Sequence, residues 1–266
     1  MSDQSFASKR VLLTGGSAGI GEQCALKLSQ QGASVVVVDR NPCNVPGVTF
    51  IQGDLGSAQG VDAVLGALGD LDGPFDALLN IAGLPPREGN EALMYQVNFF
   101  ALRQLTMGLM DRLADSAAIV NVASLAGAQW MQNVAEVKQL MAMGEGTSGS
   151  QAHEALGLPS ARAYALTKEA VIAWTVQQTA QGLPRGIRMN SVSPAAVATG
   201  ILDDFVSAFG EQVAKNLARV GRASEADEVA DLILFLAAEQ SKWIKGVDMV
   251  IDGGISAIRK TAVFEL

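Results

Sequence analysis

One histidine, His153, and two cysteines, Cys24 and Cys43, are all the imidazole and thiol chemistry that these 266 residues offer. That scarcity removes the usual zinc ligand sets, and it removes a Ser-His-Asp or Cys-His engine unless His153 itself serves. His153 lies beside a glycine-rich stretch and reads as a surface residue. Cys24 falls in a helical pattern and Cys43 beside Pro42, so both read as structural thiols without a disulfide framework. Basic clusters are missing as well. With 19 Lys and Arg against 27 Asp and Glu the net charge is −8, and no Lys/Arg-rich run offers itself to a phosphate backbone, which sets nucleic-acid binding aside. Apolar runs such as 35–38 fall far short of the roughly 20 residues that a membrane-spanning helix needs. The first five residues, Met-Ser-Asp-Gln-Ser, lack the charged-then-apolar pattern of a secretory leader. The expectation is a cytoplasmic protein with neither membrane nor nucleic-acid partner.

Charge is scarce overall. Charged residues make up 17% of the chain, below the roughly 25% of an average globular protein, while apolar residues reach 49%. So much apolar surface must be buried in a core or against another copy, and the expectation is a homodimer or homotetramer.

What the sequence does contain is a steady alternation. Short β-branched runs at 10–14, 34–39, 48–52, 77–80, 118–122, 188–192 and 247–251 predict strands, and helical periods at 20–31, 59–68, 92–115, 161–181 and 224–238 predict the helices between them. The last helix is announced by Ser224 and Asp227, a near variant of the capping box. This is the pattern of an α/β, doubly wound, mostly parallel sheet of about seven strands. No Pro/Gly/Ser-rich linker or long-period repeat divides it, so residues 1–266 read as a single domain. Only 129–160 interrupts the rhythm, with a helical pattern at 134–143 and a flexible glycine-rich stretch at 144–150, and it reads as an insertion over one end of the sheet.

After the first strand comes Thr14-Gly15-Gly16-Ser17-Ala18-Gly19-Ile20-Gly21, leading directly into a helix. A glycine-rich strand-to-helix turn lets backbone N–H groups and the positive helix end face a pyrophosphate. Asp39 closes the second strand about 20 residues on, where a ribose would lie. Its carboxylate can accept from ribose hydroxyls and repels a 2′-phosphate, so NAD is favoured over NADP. The adjacent Arg40 is the opposing feature, since a guanidinium there can pair with a 2′-phosphate. Asp54-Leu55, past the third strand, suits an adenine edge, although a plain turn aspartate explains Asp54 equally well.

Tyr164 and Lys168 stand four apart in one helical pattern, which puts both on one face. Such a spacing is common by accident, but its chemistry is coherent. An ammonium and a cationic nicotinamide near a phenol favour the phenolate, which can then exchange a proton with an alcohol or carbonyl. Ser124 follows the fifth strand at the carboxyl edge of the sheet, where open α/β folds place ligands, and its hydroxyl can hold the reacting oxygen.

Thr14-Gly15-x-x-x-Gly19-x-Gly21, Asn80-Ile81-Ala82-Gly83, Asn98, Ser124 and Tyr164-x-x-x-Lys168, in this order, resemble the short-chain dehydrogenase/reductase family over nearly the whole chain. The resemblance implies Tyr164 as general acid/base, Ser124 orienting the substrate oxygen, Lys168 lowering the tyrosine pKa and holding the nicotinamide ribose, and Asn98 completing a water-linked proton relay. It implies Asn80, Ala82 and Gly83 shaping the cofactor cleft, and the segment 194–199, with Pro194, Val197 and Thr199, contacting the nicotinamide end. Departures from the family pattern are Ile81, Ala195 and a gap between Ser124 and Tyr164 about three times the usual one. A long insertion of this kind resembles that of bacterial 3α-hydroxysteroid dehydrogenase/carbonyl reductases and coniferyl-alcohol dehydrogenases.

Around the expected hydride-transfer point the loops carry Leu84, Leu125, Trp130, Met131, Leu202 and Phe205, with Leu140, Met141 and Met143 on the insertion. They imply a hydrophobic alcohol or ketone as substrate: a sterol, a cyclic terpene alcohol or an aryl-allylic alcohol. Core packing explains the insertion's Met and Trp residues equally well. Arg87 alone supplies too little positive charge for a sugar phosphate. Residues 200–219 read as a lid with hinges at Gly200 and Gly210, and the apolar end of the tail 256–266 as a partner contact. Two other readings stay open: a dinucleotide-sensing protein without catalysis, and an NADP-dependent carbonyl reductase. Enoyl reduction is disfavoured, because relatives doing that work space Tyr and Lys more widely than four.

Overall fold

Strand β1 (Arg10–Thr14) leads through the glycine turn into α1 (Gly19–Gln30), and β2 (Ser34–Asp39), β3 (Thr49–Gln52), α2 (Ala58–Gly69) and β4 (Phe75–Asn80) follow. Next come α3 (Glu91–Tyr95), a π-helical turn over Gln96–Ala101, α4 (Leu102–Leu109) and β5 (Leu113–Val122). Helices α5 (Val134–Ala142), α6 (Gly149–Leu156) and the long α7 (Ser160–Gly182) precede β6 (Arg188–Pro194). After it stand α8 (Leu202–Phe209), α9 (Glu211–Val220), α10 (Ala226–Ala237), β7 (Asp248–Ile251) and α11 (Ile255–Phe264). This computed structural model describes residues 5–144 and 146–264; residues 1–4 of the opening pentapeptide, Glu145 of the glycine-rich stretch and the last two residues of the tail lie outside the described residues. No helix among the described residues is long and apolar enough to cross a membrane.

The seven strands form one sheet in the order β3-β2-β1-β4-β5-β6-β7, every neighbouring pair parallel. The valine run of β2 shows why strands here are apolar without alternation. Val35 and Val37 pack into the layer of α1 and α10, and Val36 and Val38 into the opposite layer of α2, α4 and α7. Both faces are covered, so both need apolar side chains. The fold is therefore the expected doubly wound α/β sheet. Strand order reverses between β1 and β4, and the crevice at such a reversal is where open α/β sheets bind ligands.

Three elements depart from the sequence reading. The helix expected over 92–115 breaks into α3, the π turn and α4, and the chain is already in β5 at Leu113. Leu102, Leu105, Leu109 and Leu113 keep a helical rhythm, but Leu113 pairs with Phe75 across the sheet. Within 144–150, expected to be flexible, Ser148 caps α6: its hydroxyl accepts the Gln151 N–H at 3.3 Å and Gln151 Oε1 accepts the Ser148 N–H at 2.8 Å. The capping box of α10 uses Glu225 and Glu228, not Ser224 and Asp227, and the Ser224 hydroxyl donates to the Ala196 carbonyl.

The insertion packs on helices rather than directly on strands, α6 against α3 and α5 against α7. Arg162 of α7 binds Glu136 of α5 at 2.6 Å and the buried Glu169 at 2.7 Å, while the Asn133 amide donates to Glu169 at 2.6 Å. His153 is half-buried on α6, with Nδ1 enclosed and unpartnered, and is not the surface residue expected. Cys24 is fully buried and its thiol is pushed up to about 12, so it is an inert core residue.

Candidate active site

The turn between β1 and α1 is built on contacts that exclude side chains. A Cβ on Gly21 would stand 2.0 Å from the Gly15 carbonyl oxygen, and Gly15, at φ +75°, lies against the backbone of Ala82. The Thr14 hydroxyl accepts the N–H groups of Ile81 and Ala82, each at 3.2 Å, which fastens the end of β1 to the end of β4. Helix α1 opens at Gly19 and Ile20, with Ala18 as N-cap and no side-chain cap, so its first N–H groups are available to an anion.

Asp39 is drawn into this turn. Its Oδ2 accepts the Ser17 N–H at 3.1 Å and the Ser17 hydroxyl at 2.7 Å, while Oδ1 accepts the Asn41 N–H at 2.9 Å. A carboxylate has further acceptor capacity beyond these bonds, so it remains able to bind hydroxyls at the crevice. Arg40 is exposed, and among the described residues it has no salt-bridge partner. Asp54 closes a turn by accepting the Gly56 N–H at 2.8 Å, and the Leu55 side chain is buried in the core. Asn80 is turned into the protein: its amide donates to Thr106 and Asn121, so it ties β4 to its neighbours instead of offering its donors to the crevice.

Ser124, Tyr164 and Lys168 meet at the carboxyl end of β5. Ser124 caps the short turn Leu125–Gly127 by accepting the Ala126 N–H at 3.2 Å, and it lines the same cavity as the Tyr164 phenol. A Cβ on Gly127 would stand 2.8 Å from the Lys168 carbonyl carbon, so the glycine lets the serine turn lie directly on α7. Lys168 donates to the Val122 carbonyl at 2.9 Å, with Nζ 5.8 Å from the centre of the Tyr164 ring. Gly83 faces both Lys168 Nζ and Asn98 Oδ1. Asn98 sits on the π turn, a geometry common at functional sites, and binds Leu84 twice: Oδ1 accepts its N–H at 2.7 Å and Nδ2 donates to its carbonyl at 3.1 Å.

Burial dominates the electrostatics. Tyr164 and Lys168 are each only 4% exposed. Burial pushes the phenol up to about 12, with the polar Ser124 side chain pulling the other way, and it pushes the lysine down to about 8.

These groups open on a cavity of about 850 Å³. Ile20, Gly83, Pro194, Val197 and Thr199 line its crevice side, and Leu84, Leu125, Phe205 and Phe209 give it apolar walls. Of the residues expected around a substrate, Trp130, Met131 and Leu202 do not line it. Trp130 packs on the core beneath the insertion, Met131 is 65% exposed, and Leu140, Met141 and Met143 are core packing. Phe209, which the sequence reading lacked, lies four residues from Phe205 on α8, and that spacing is the signal for it. Among the described residues no cluster of His, Cys, Asp or Glu could hold a metal.

A glycine turn at the switch point of a parallel sheet, with a buried Ser-Tyr-Lys cluster beside it, is the architecture of a dinucleotide-dependent oxidoreductase. Residues 9–136 match the family model described as short chain dehydrogenase, and residues 136–256 the one described as Enoyl-(Acyl carrier protein) reductase. The chain is 34% identical to the coniferyl-alcohol dehydrogenase of Pseudomonas sp. (strain HR199 / DSM 7063), over 95% of this chain and 98% of that protein. It is 26% identical to the 3-alpha-hydroxysteroid dehydrogenase/carbonyl reductase of Comamonas testosteroni, over 96% of this chain and 99% of that protein. Among solved structures, the 3-alpha-hydroxysteroid dehydrogenase from Pseudomonas sp. B-0831 complexed with NADH is similar at a TM-score of 0.81 and 30% identity, covering 95% of this chain and 99% of that one. The chain belongs to the short-chain dehydrogenase/reductase family, oxidoreductases acting on alcohols and carbonyl compounds.

Proposed function

We propose that the protein interconverts a hydrophobic alcohol and its carbonyl with NAD as hydride carrier. The observation that carries this reading is the convergence of Ser124, Tyr164 and Lys168 on one cavity whose walls include Phe205 and Phe209. Gly15, Ser17, Ala18, Gly19, Ile20 and Gly21 would hold the pyrophosphate, Asp39 the adenosine ribose, and Pro194, Val197 and Thr199 the nicotinamide end. When bound, NAD supplies the hydride acceptor and a positive charge. The uncapped end of α1 fits an anion, and the Asp39 carboxylate fits a ribose better than a 2′-phosphate.

Ser124 donates a hydrogen bond to the substrate oxygen and fixes its position. Tyr164 Oη takes the alcohol proton during oxidation and returns it during reduction. Burial raises the phenol's pKa, and positive charge beside it favours the phenolate, the form able to take the alcohol proton. Asn98 holds Leu84, and so the loop after β4, against the site. The apolar walls favour a sterol, a cyclic terpenol or an aryl-allylic alcohol, and the named relatives point to the first and the last of these. Exposed Arg40 beside Asp39 supports the second reading, an NADP-dependent carbonyl reductase. Initial rates with sterols, terpenols and cinnamyl-type alcohols, each with NAD and NADP, test both: turnover with neither coenzyme rejects the function, and a preference for NADP rejects the coenzyme. Exposed Trp243, Val263 and Phe264 further support a homodimer or homotetramer, which light scattering would check.

A further inference from the structure

Between the loop after β4 and α8, whose Leu84 and Phe205 line the cavity, Arg87 grips Asp204 with both arms: Nε donates to Oδ1 at 2.6 Å and Nη2 to Oδ2 at 2.7 Å. The two sides of this pair differ in firmness. Arg87 stands on a fixed post. The preceding Leu84 is bound twice by Asn98, and Pro85 and Pro86, both buried, restrict the backbone between. Asp204 stands on a loose arm. Neither α8 nor α9 has a buried residue, and Gly210, at φ +51° and ψ −127°, breaks the chain between them. Beside Asp204, Phe205 lies with its ring centre 5.3 Å from that of Tyr164.

We infer that Arg87 and Asp204 are the latch of the α8–α9 lid, a positioning pair that holds Phe205 over Tyr164 and sets how firmly the alcohol is retained. The inference rests on the proposed alcohol oxidation, since it assigns to the pair the retention of that substrate. An exposed ion pair suits the task. A buried pair would be too costly to part in every cycle, whereas an exposed two-pronged pair orders the lid and still opens readily. It is also open to screening, so the latch weakens as salt rises.

The test uses Arg87→Ala, Asp204→Ala and the charge-swapped double variant Arg87→Asp/Asp204→Arg, assayed with coniferyl alcohol at saturating NAD. Each single variant is expected to raise KM about three- to tenfold without lowering kcat, and the swap to recover most of the loss. Added salt should raise the wild-type KM and leave the single variants flat. Limited trypsinolysis gives a readout independent of activity: cutting after Lys215 and Arg219 should be severalfold faster in the single variants at unchanged Tm. Single variants with wild-type KM, salt response and cutting rate would overturn the latch, as would a swap no better than the singles. Wild-type protein inert toward the whole alcohol panel defeats the functional reading instead, and the trypsin comparison then still decides whether the pair holds the lid.

Discussion

The ring of Phe205 meets that of Tyr164 edge to face, with centres 5.3 Å apart and planes at 75°, and Phe209 stacks on Phe205 at 6.5 Å with the planes 9° apart. Edge-to-face pairs are attractive beyond the area they bury, so Phe205 is held against the Tyr164 ring. Both rings line the cavity proposed to take the alcohol. Phe209→Ala is expected to raise KM for bulky alcohols about tenfold, and much less for small ones, with coenzyme affinity unchanged. Steady-state kinetics across alcohols of increasing size checks this; a uniform loss for all sizes would remove Phe209 from the substrate wall.

Tyr164→Phe keeps the ring packed against Phe205 and deletes only the hydroxyl proposed to carry the proton. Turnover should fall by about two to four orders of magnitude while NAD binding persists. Coenzyme titration by calorimetry beside an absorbance assay separates the two effects, and appreciable residual turnover would assign the proton to another group.

Asp39→Ala removes both the acceptor at the end of β2 and the partner of Ser17. Affinity for NAD should drop about tenfold and the ratio of NADP to NAD binding should rise, since the repelling charge is gone and Arg40 remains. Dissociation constants for the two coenzymes decide it; an unchanged ratio would mean that Asp39 does not select the coenzyme.

Burial of Lys168 makes stability depend on alkaline pH in a definite direction. Its pKa is about 8 in the folded protein against an unfolded value near 10.5. Below pH 8 both states hold the proton and the full cost of burying the charge is present. Between pH 8 and 10.5 the folded lysine releases its proton while the unfolded one keeps it, so stability rises with pH, by about 3 kcal/mol at most. Tyr164, raised to about 12, acts oppositely above pH 10, where the unfolded phenol ionises first. Denaturant titrations from pH 7 to 10 should therefore show a rise for the wild type relative to Lys168→Met; parallel curves would show that Lys168 is not buried in this way.

Much of this was legible in the residues, and for local reasons. The seven strands and the glycine turn are short contiguous patterns, and Tyr164 and Lys168 share a helix face by spacing alone. What escaped depends on contacts between distant segments. The bond of Ser17 to Asp39 spans residues of different elements, and nothing local shows it. Helix α6 hid behind glycines, although Ser148 and Gln151 spell its cap. Trp130 and Met131 looked like pocket residues because composition does not tell which side of a turn a side chain takes. Helical spacing supplied the proximity of Lys168 to Tyr164 but not the burial of both groups.

The π turn at Gln96–Ala101 serves two masters. Asn98 grips Leu84 at the crevice, and Gln96, two residues earlier, accepts the Gly149 N–H at 3.2 Å and so seats the first turn of α6. One irregular stretch of backbone is thus the common hinge pin of the inserted helices and of the post that carries Arg87. Any displacement of the outer helices has a short mechanical lever to the catalytic crevice, without passing through the sheet.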